Sequence, residues 1–521
     1  MKRKIVSFIF ITIGLLAIVA SVFLYKYNIG GAKISTPIIP KDTVKTETPV
    51  VHDTTSFEYL KYRVEALGNS DSMRHGGFGF CLAAVDSDKV LLEFNSQQSL
   101  VPASILKTVT TGICLSKLGA GFHYSTRLQY DGAIKSGKVL DGNLFIKGSG
   151  DPSLGSSSFA GCDEEKVLND WVRAIKNKGI DTINGAIVGD PDVFDDDMIP
   201  AGWAWEDMQS DYGIGPCGLS FHENVYDLQI NGNLTKPDFK ITQSVPGLKL
   251  VNNLAVNKSG GKDYVYASGG PYVTERYLKG AVSATNHAFT AQSAMPDPAY
   301  YCANALFLKL KRAGVTVRDS STTTRRLRIQ NKLAKKERIT FHTTFSPSLA
   351  NIVWYTNQVS QNFYAESLLR TLSLFENGYG SSPGGVNVIH DYFKRCKIDL
   401  NGFYMVDGSG VSRFDAVSAR QMVELLKAYT KDSVAFDAFY NSLPIAGQSG
   451  TLSEICKGTA AEKNIRAKSG YMSRVRSYAG YVTTKSGKKL VFAMLANNHA
   501  FTVVGMRNEL EKLMVLMAEL D

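Results

Sequence analysis

Residues 101–119 read VPASILKTVTTGICLSKLG, an apolar run that opens near a proline and closes on a glycine. The pattern predicts one helix over Ala103–Leu118 with Gly119 as its stop, because glycine tolerates the left-handed turn that ends helices. Ser104 then lies in the first turn, and Lys107 lies one turn on, over the same face. Unpaired backbone N–H groups and the helix dipole favour negative charge developing at Ser104. Burial would lower the pKa of Lys107, and an uncharged lysine there could take the serine proton. The spacing equally suits a serine at a helix N-terminus beside a solvated lysine. It recurs at Ser259/Lys262 and Ser486/Lys489, both in glycine-containing turns that would hold neither side chain firmly.

Outward from this helix, Ser56–Leu67 is expected to be helical, and Gly79–Val85 with Val90–Phe94 to form a hairpin about Asp86-Ser87-Asp88. Beyond about residue 125 short alternating strands are separated by glycine and asparagine turns, as in LQINGNLTKPDFKIT, with one helix candidate at Glu164–Lys178. Helical patterns return at Ser348–Gln358, Phe363–Leu374, Val386–Lys394 and Ser418–Tyr429. Tyr478–Thr484 and Leu490–Asn497 then form a hairpin about Lys485-Ser486-Gly487, and Gly505–Leu520 closes the chain as an amphipathic helix. The economical reading is a single α/β domain, an antiparallel sheet flanked by helices built from 56–125 and 339–521, interrupted by a β-rich insertion at 126–338.

Composition bounds this reading. The chain has 521 residues, 44% hydrophobic and 20% charged, which describes ordinary globular material of two or three domains. Lys2-Arg3-Lys4 precedes an uncharged run from Ile5 to Tyr25, long enough as a helix to span ~30 Å. The positive flank should stay in the cytoplasm. Residues 1–27 are therefore expected to be an uncleaved anchor and 28–55, with Pro37, Pro40 and Pro49, a polar tether. The rest of the chain would lie on the periplasmic or extracytoplasmic side of the inner membrane. The seven cysteines are scattered with no C-x-x-C, so neither a zinc site nor a disulfide framework is indicated. The net charge is +10, of which the 325–338 stretch alone contributes +6. That stretch is either a solvated loop or edge strand, or a patch for anionic lipid or wall polymer. No nucleic-acid-binding motif accompanies it. There is no G-x-S-x-G, no H-E-x-x-H and no phosphate loop.

Two further short motifs carry chemistry. Ser360-Gln361-Asn362 is the only Ser-x-Asn in the chain and falls between two helical stretches. It supplies a proton relay and an orienting amide on one short loop, or a helix cap for Phe363 onward. Lys-Ser-Gly occurs four times, at Lys135, Lys258, Lys468 and Lys485. Three copies look like hairpin turns. Lys468-Ser469-Gly470 precedes a strand and could itself lie on the neighbouring one, where a lysine and a hydroxyl can bind a carboxylate and glycine allows close backbone approach.

Ser104-x-x-Lys107, Ser360-x-Asn362 and Lys468-Ser469-Gly470, in this order, resemble the three signature motifs of penicillin-binding proteins and serine β-lactamases. The 256 residues from Ser104 to Ser360 look like the class C low-molecular-mass penicillin-binding proteins, the D-Ala-D-Ala carboxypeptidase/endopeptidase family, in which domains are inserted after the first motif. GNLFIKGSGDPSL (142–154), VFDDDMIPAGWAWEDM (193–208), VDGSGVSR (406–413), LPIAGQSGTL (443–452) and RAKSGYMSRVRSYAGYV (466–482) look like that family's blocks.

The resemblance implies a transpeptidase-like fold and a mechanism. Ser104 would attack the carbonyl of the penultimate D-alanine of peptidoglycan stem peptides or D,D-cross-links, with Lys107 as base. Ser360 would relay the proton to the leaving amine, and Asn362 would hold the substrate amide. Lys468 and Ser469 would face the terminal carboxylate, and the backbone N–H groups of Ser104 and Tyr471 would hold the oxyanion. Arg413 and Asp195 would line the cleft near the peptide side chain, with Asp196 and Asp197 competing for the latter's place. β-Lactams would be covalent inhibitors, and neither a metal nor an organic cofactor is implied. The rivals are a β-lactamase, which would release penicillin quickly, and a non-catalytic wall-binding protein.

Overall fold

The computed structural model describes residues 57–521 apart from 88, 233–236, 259–261 and 285–286. The expected anchor and tether lie outside these residues, and no helix among the described residues is long and apolar enough to cross a membrane. What joins the two ends of the described chain is a strand pair. Gly77–Ala84, near the start, runs antiparallel to Lys489–Asn497, near the end, in unbroken register from Gly77/Asn497 to Ala84/Leu490. The five-stranded sheet has the order Ile465–Met472, Val475–Thr483, Lys489–Asn497, Gly77–Ala84, Val90–Phe94.

The central strands are buried on both faces, so alternate residues feed two separate cores. Val491, Ala493 and Leu495 join Cys81 and Ala83 against helices Lys107–Leu118, Leu349–Val359, Asn362–Asn377, Ser382–Arg395 and Ala419–Tyr429. Leu490, Phe492, Met494 and Ala496 pack with Phe78, Phe80 and Leu82 against Phe57–Gly68 and Val503–Glu519. A strand with no polar face reads as a continuous apolar run, as VFAMLAN does.

The inserted block carries its own sheets around Trp171, Tyr226 and Leu228. Its outermost strand, Ile339–Phe345, pairs with Ser125–Tyr130. The inserted sheet therefore begins one residue earlier and ends seven residues later than the 126–338 boundaries drawn from sequence. The block also holds a fifteen-residue helix, Pro298–Arg312, where only strands were expected. Asp297 caps it, its side chain accepting from the Tyr300 N–H, with proline in the first turn. Ser433–Ser442 is a second unexpected helix, capped in the same way by Asp432. Among the described residues the seven cysteines are free thiols.

The basic stretch is neither an edge strand nor wholly a solvated loop. Thr323 caps a helix at Thr324–Ile329. Arg325 lies 3.5 Å over the Tyr272 ring, Arg326 lies 4.2 Å over Tyr300, and Arg328 pairs with Asp192 at 3.0 Å. Arg338 pairs with the buried Asp190 carboxylate, which Lys147 also meets at 3.1 Å. Lys332, Lys335 and Lys336 are left exposed.

Removing Arg338 therefore leaves a buried carboxylate with one partner fewer. Arg338→Ala is expected to cost about 2 kcal/mol in a urea or thermal unfolding series, whereas Lys335→Gln with Lys336→Gln should stay within about 0.5 kcal/mol of the parent.

Candidate active site

Ser104 does not sit inside an α-helix. Ala103–Leu106 form a 3-10 turn, and the α-helix begins at Lys107. In a 3-10 turn residues three apart eclipse one another, and the Lys107 Nζ accordingly lies 2.9 Å from the Ser104 Oγ. Ala103 is held at φ +50°, an unfavourable conformation for a residue with a Cβ. Its surroundings fix it. The Ser477 hydroxyl donates to the Pro102 carbonyl at 2.5 Å, and the Asn497 amide brackets Val101, accepting from its N–H at 2.7 Å and donating to its carbonyl at 3.0 Å.

The second motif arrives from the opposite wall. Ser360 ends helix Leu349–Val359 in the left-handed conformation, φ +60°, which turns the chain directly into the next helix at Asn362. Asn362 does not cap that helix, because Gln361 is the cap residue and makes no side-chain cap. Its amide is used otherwise. Oδ1 accepts from Lys107 Nζ at 2.6 Å and Nδ2 donates to the Tyr212 carbonyl at 2.9 Å. The third Lys107 contact is the Ser409 carbonyl, at 2.7 Å.

The third motif lies on the edge strand Ile465–Met472, as expected. Lys468 Nζ lies 2.9 Å from the Ser360 Oγ and the Ser469 carbonyl, and Ser469 Oγ donates to Thr451 Oγ1 at 2.7 Å. Gly470 has a reason beyond substrate approach. A Cβ there would stand 2.1 Å from the Ser477 Oγ and 2.7 Å from the Pro102 carbonyl, so glycine lets this strand close on the Ser104 turn. Tyr471 is half-exposed, with Arg476 5.6 Å over its ring.

The electrostatics follow from burial. Lys107 is fully buried, and desolvation pushes its amine down to about 7, against the opposing pull of Asp407, Glu366 and Asp415. Burial likewise pushes Lys468 well down, helped by the nearby positive charges of Lys107 and Arg476. A neutral amine has two hydrogens and one lone pair. The Asn362 and Ser409 oxygens are acceptors only and take the hydrogens, so the lone pair is left facing Ser104. The pocket thus pairs a hydroxyl with a base and surrounds them with a second hydroxyl, a second lysine and an amide.

The structure brings Ser104, Lys107, Ser360, Asn362, Lys468, Ser469 and Gly470 into one contact network. Asp195 is outside it. Its carboxylate pairs with the buried Arg370 and lines, with Val386 and Met405, a cavity of about 600 Å³. Asp196 turns instead to Arg325 and Arg328. Arg413 is exposed beside Phe414. The Tyr212 and Ser409 carbonyls, Thr451 and the buried carboxylates carry no sequence motif, although Asp407-Gly408-Ser409-Gly410 has the look of a tight side-chain-capped turn.

Comparison with known proteins places the chain in a family. The model of the D-Ala-D-Ala carboxypeptidase 3 (S13) family matches residues 60–519. The chain is similar to the D-alanyl-D-alanine carboxypeptidase DacB of Haemophilus influenzae, 24% identical over 434 residues and covering 81% of this chain and 85% of that one. A D-alanyl-D-alanine carboxypeptidase of Actinomadura sp. is 25% identical over 492 residues, covering 90% and 88%. The crystal structure of penicillin binding protein 4 from Haemophilus influenzae shares the fold, with a TM-score of 0.75 at 21% identity over 87% of this chain and 97% of that one.

Gly470→Ala tests the packing of the strand on the Ser104 turn. It should cost about 1–3 kcal/mol of stability in urea unfolding, and adding Ser477→Ala should recover only part, because the Pro102 carbonyl still obstructs.

Proposed function

We propose that this chain, which belongs to the D-Ala-D-Ala carboxypeptidase 3 (S13) family, cleaves stem peptides through an acyl-enzyme on Ser104. It is a serine-type D-alanyl-D-alanine carboxypeptidase. The observation that carries the mechanism is the Lys107 amine 2.9 Å from the Ser104 Oγ, its other two directions taken by acceptor-only oxygens.

Ser104 Oγ attacks the carbonyl carbon of the penultimate D-alanine as its proton passes to Lys107. The carbon–nitrogen bond to the terminal D-alanine then breaks, and the leaving nitrogen takes a proton by way of Ser360, which Lys468 holds. Lys468 and Ser469 face the terminal carboxylate, and the backbone N–H groups of Ser104 and Tyr471 cradle the oxyanion. Asn362 keeps one amide hydrogen beyond its bond to Tyr212 and directs it at the substrate amide. Water adds to the ester, returns the proton to Ser104 and frees the shortened peptide. The same steps cleave a D,D-cross-link when the leaving amine belongs to a neighbouring stem, and a β-lactam follows the first half and stays attached. Arg413 and Asp195 serve the outer cleft. The uncharged 5–25 run supports an anchor in the inner membrane with this domain on its outer side.

Intact-mass spectrometry of the full-length chain after exposure to a penicillin should show one penicilloyl adduct, absent from Ser104→Ala. An unmodified chain with intact drug would sink the acyl-enzyme, and rapid release of hydrolysed drug would favour a β-lactamase. Because the base must be neutral, the acylation rate should rise with pH through about 7, the value to which burial brings Lys107. Lys107→Ala should lower it by ~10²–10⁴-fold.

A further inference from the structure

The inserted block reaches the surroundings of Lys107 through the Tyr212 carbonyl on Asn362 and the Trp203 indole on Asp407. The second contact reaches a carboxylate to which the mechanism above gives no part. Asp407 is fully buried and accepts four hydrogen bonds. Oδ1 takes the N–H groups of Ser409 and Gly410, at 3.1 and 2.6 Å. Oδ2 takes the Ser412 N–H and the Trp203 Nε1, both at 2.7 Å. All four donors are neutral, so they satisfy the oxygens without cancelling a charge.

We infer that Asp407, clamped by Trp203 of the inserted block, is the positioning residue that sets both the place and the charge of the Lys107 amine. The place follows from the turn wound around it. The Ser409 N–H is bound to Asp407, and the Ser409 carbonyl accepts from Lys107. Gly410, held by the same carboxylate, is at φ +80° and packs so closely on the turn before Ser104 that a Cβ would stand 2.0 Å from the Ala103 carbonyl. One side chain therefore fixes an acceptor for the base and a wall of the nucleophile turn.

The charge follows from the neighbours. The carboxyl groups that act on Lys107 are Asp407, Glu366 and Asp415, and Lys468 is near enough to feel the charge of Lys107. Burial pushes Glu366 up to about 8 and Asp415 well up. Glu366 holds the Gly408 N–H with both oxygens at 2.9 Å, and Asp415 takes the Val406 N–H at 2.8 Å, so each braces the same turn. Of the three carboxyl groups, Asp407 opposes the desolvation of Lys107 most strongly. Without it the amine would lose its proton at a lower pH.

This inference rests on the acyl-enzyme reading, and one experiment separates their failures. The rate of acylation by a fluorescent penicillin is measured against pH for the full-length chain, Asp407→Asn and Trp203→Phe, each checked by thermal melting. Asp407→Asn should move the acid limb to lower pH and lower the plateau by ~10–100-fold, the scale of a displaced catalytic group. Trp203→Phe keeps the charge, so its limb should stay in place while the plateau falls several-fold. An unmoved limb in Asp407→Asn would mean that the residue is structural only and would overturn the inference. A wild-type plateau in Trp203→Phe would do the same, and that variant decides alone if Asp407→Asn does not fold. A wild-type chain that takes no label overturns both readings before any variant is compared.

Discussion

A lysine amine buried beside a hydroxyl is an expensive arrangement, because an ammonium group taken out of water loses several kcal/mol of solvation that must be returned by partners. In this fold the return is partial by construction. Among the described residues, Lys107 has three oxygen partners but no directly paired carboxylate. Its carboxyl neighbours, Asp407 foremost, act on it without direct contact. The amine is thus held at the edge of losing its proton. Full pairing with a carboxylate would stabilise the fold more and leave a poor base, whereas no carboxylate at all would give an amine too weakly basic to take a serine proton.

Two buried lysines share this pocket. The charge of Lys107 disfavours that of Lys468, which burial already lowers. Ser360 bonds to Lys468 and Asn362 to Lys107, and these two residues sit on consecutive helices separated by a single left-handed turn. The short loop Ser360–Asn362 therefore fixes the separation of the two amines. An insertion or a helix-extending change there would alter geometry and titration together.

The catalytic half was legible in the sequence wherever function and packing imposed the same pattern. The stretches 491–496 (VFAMLA) and 478–482 (YAGYV) are apolar because both faces of the sheet are covered, and the helices that cover them show their spacing. Ser104, Lys107, Ser360, Asn362 and Lys468 carried recognisable motifs, and the structure draws them into one network. What escaped was set by tertiary contacts. Nothing local announces that Tyr212 and Ser409 contribute carbonyls, since every residue has one. Helix Pro298–Arg312 was lost among strands although Asp297-Pro298 is a good start signal and Ala299, Cys302, Ala303, Leu306 and Leu310 fall at helical spacing. The arginines of the 325–338 stretch looked like surface charge, and their aromatic and carboxylate partners lie far away in sequence.

The strained backbone at Ala103 shows why the inserted block and the catalytic sheet cannot be independent. A left-handed residue immediately before Ser104 costs of order 1–3 kcal/mol and survives only where the surroundings leave no alternative. Here Ser477 and Asn497 hold the preceding two residues from the sheet. Gly470 closes the edge strand over the turn, and Gly410 presses on the Ala103 carbonyl from the Asp407 turn. The last of these is itself tied to the inserted block through Trp203. The insertion separates Ser104 from Ser360 by 256 residues, yet it returns to the same pocket. Its cost in chain length is offset by a contact that the two catalytic segments do not make by themselves.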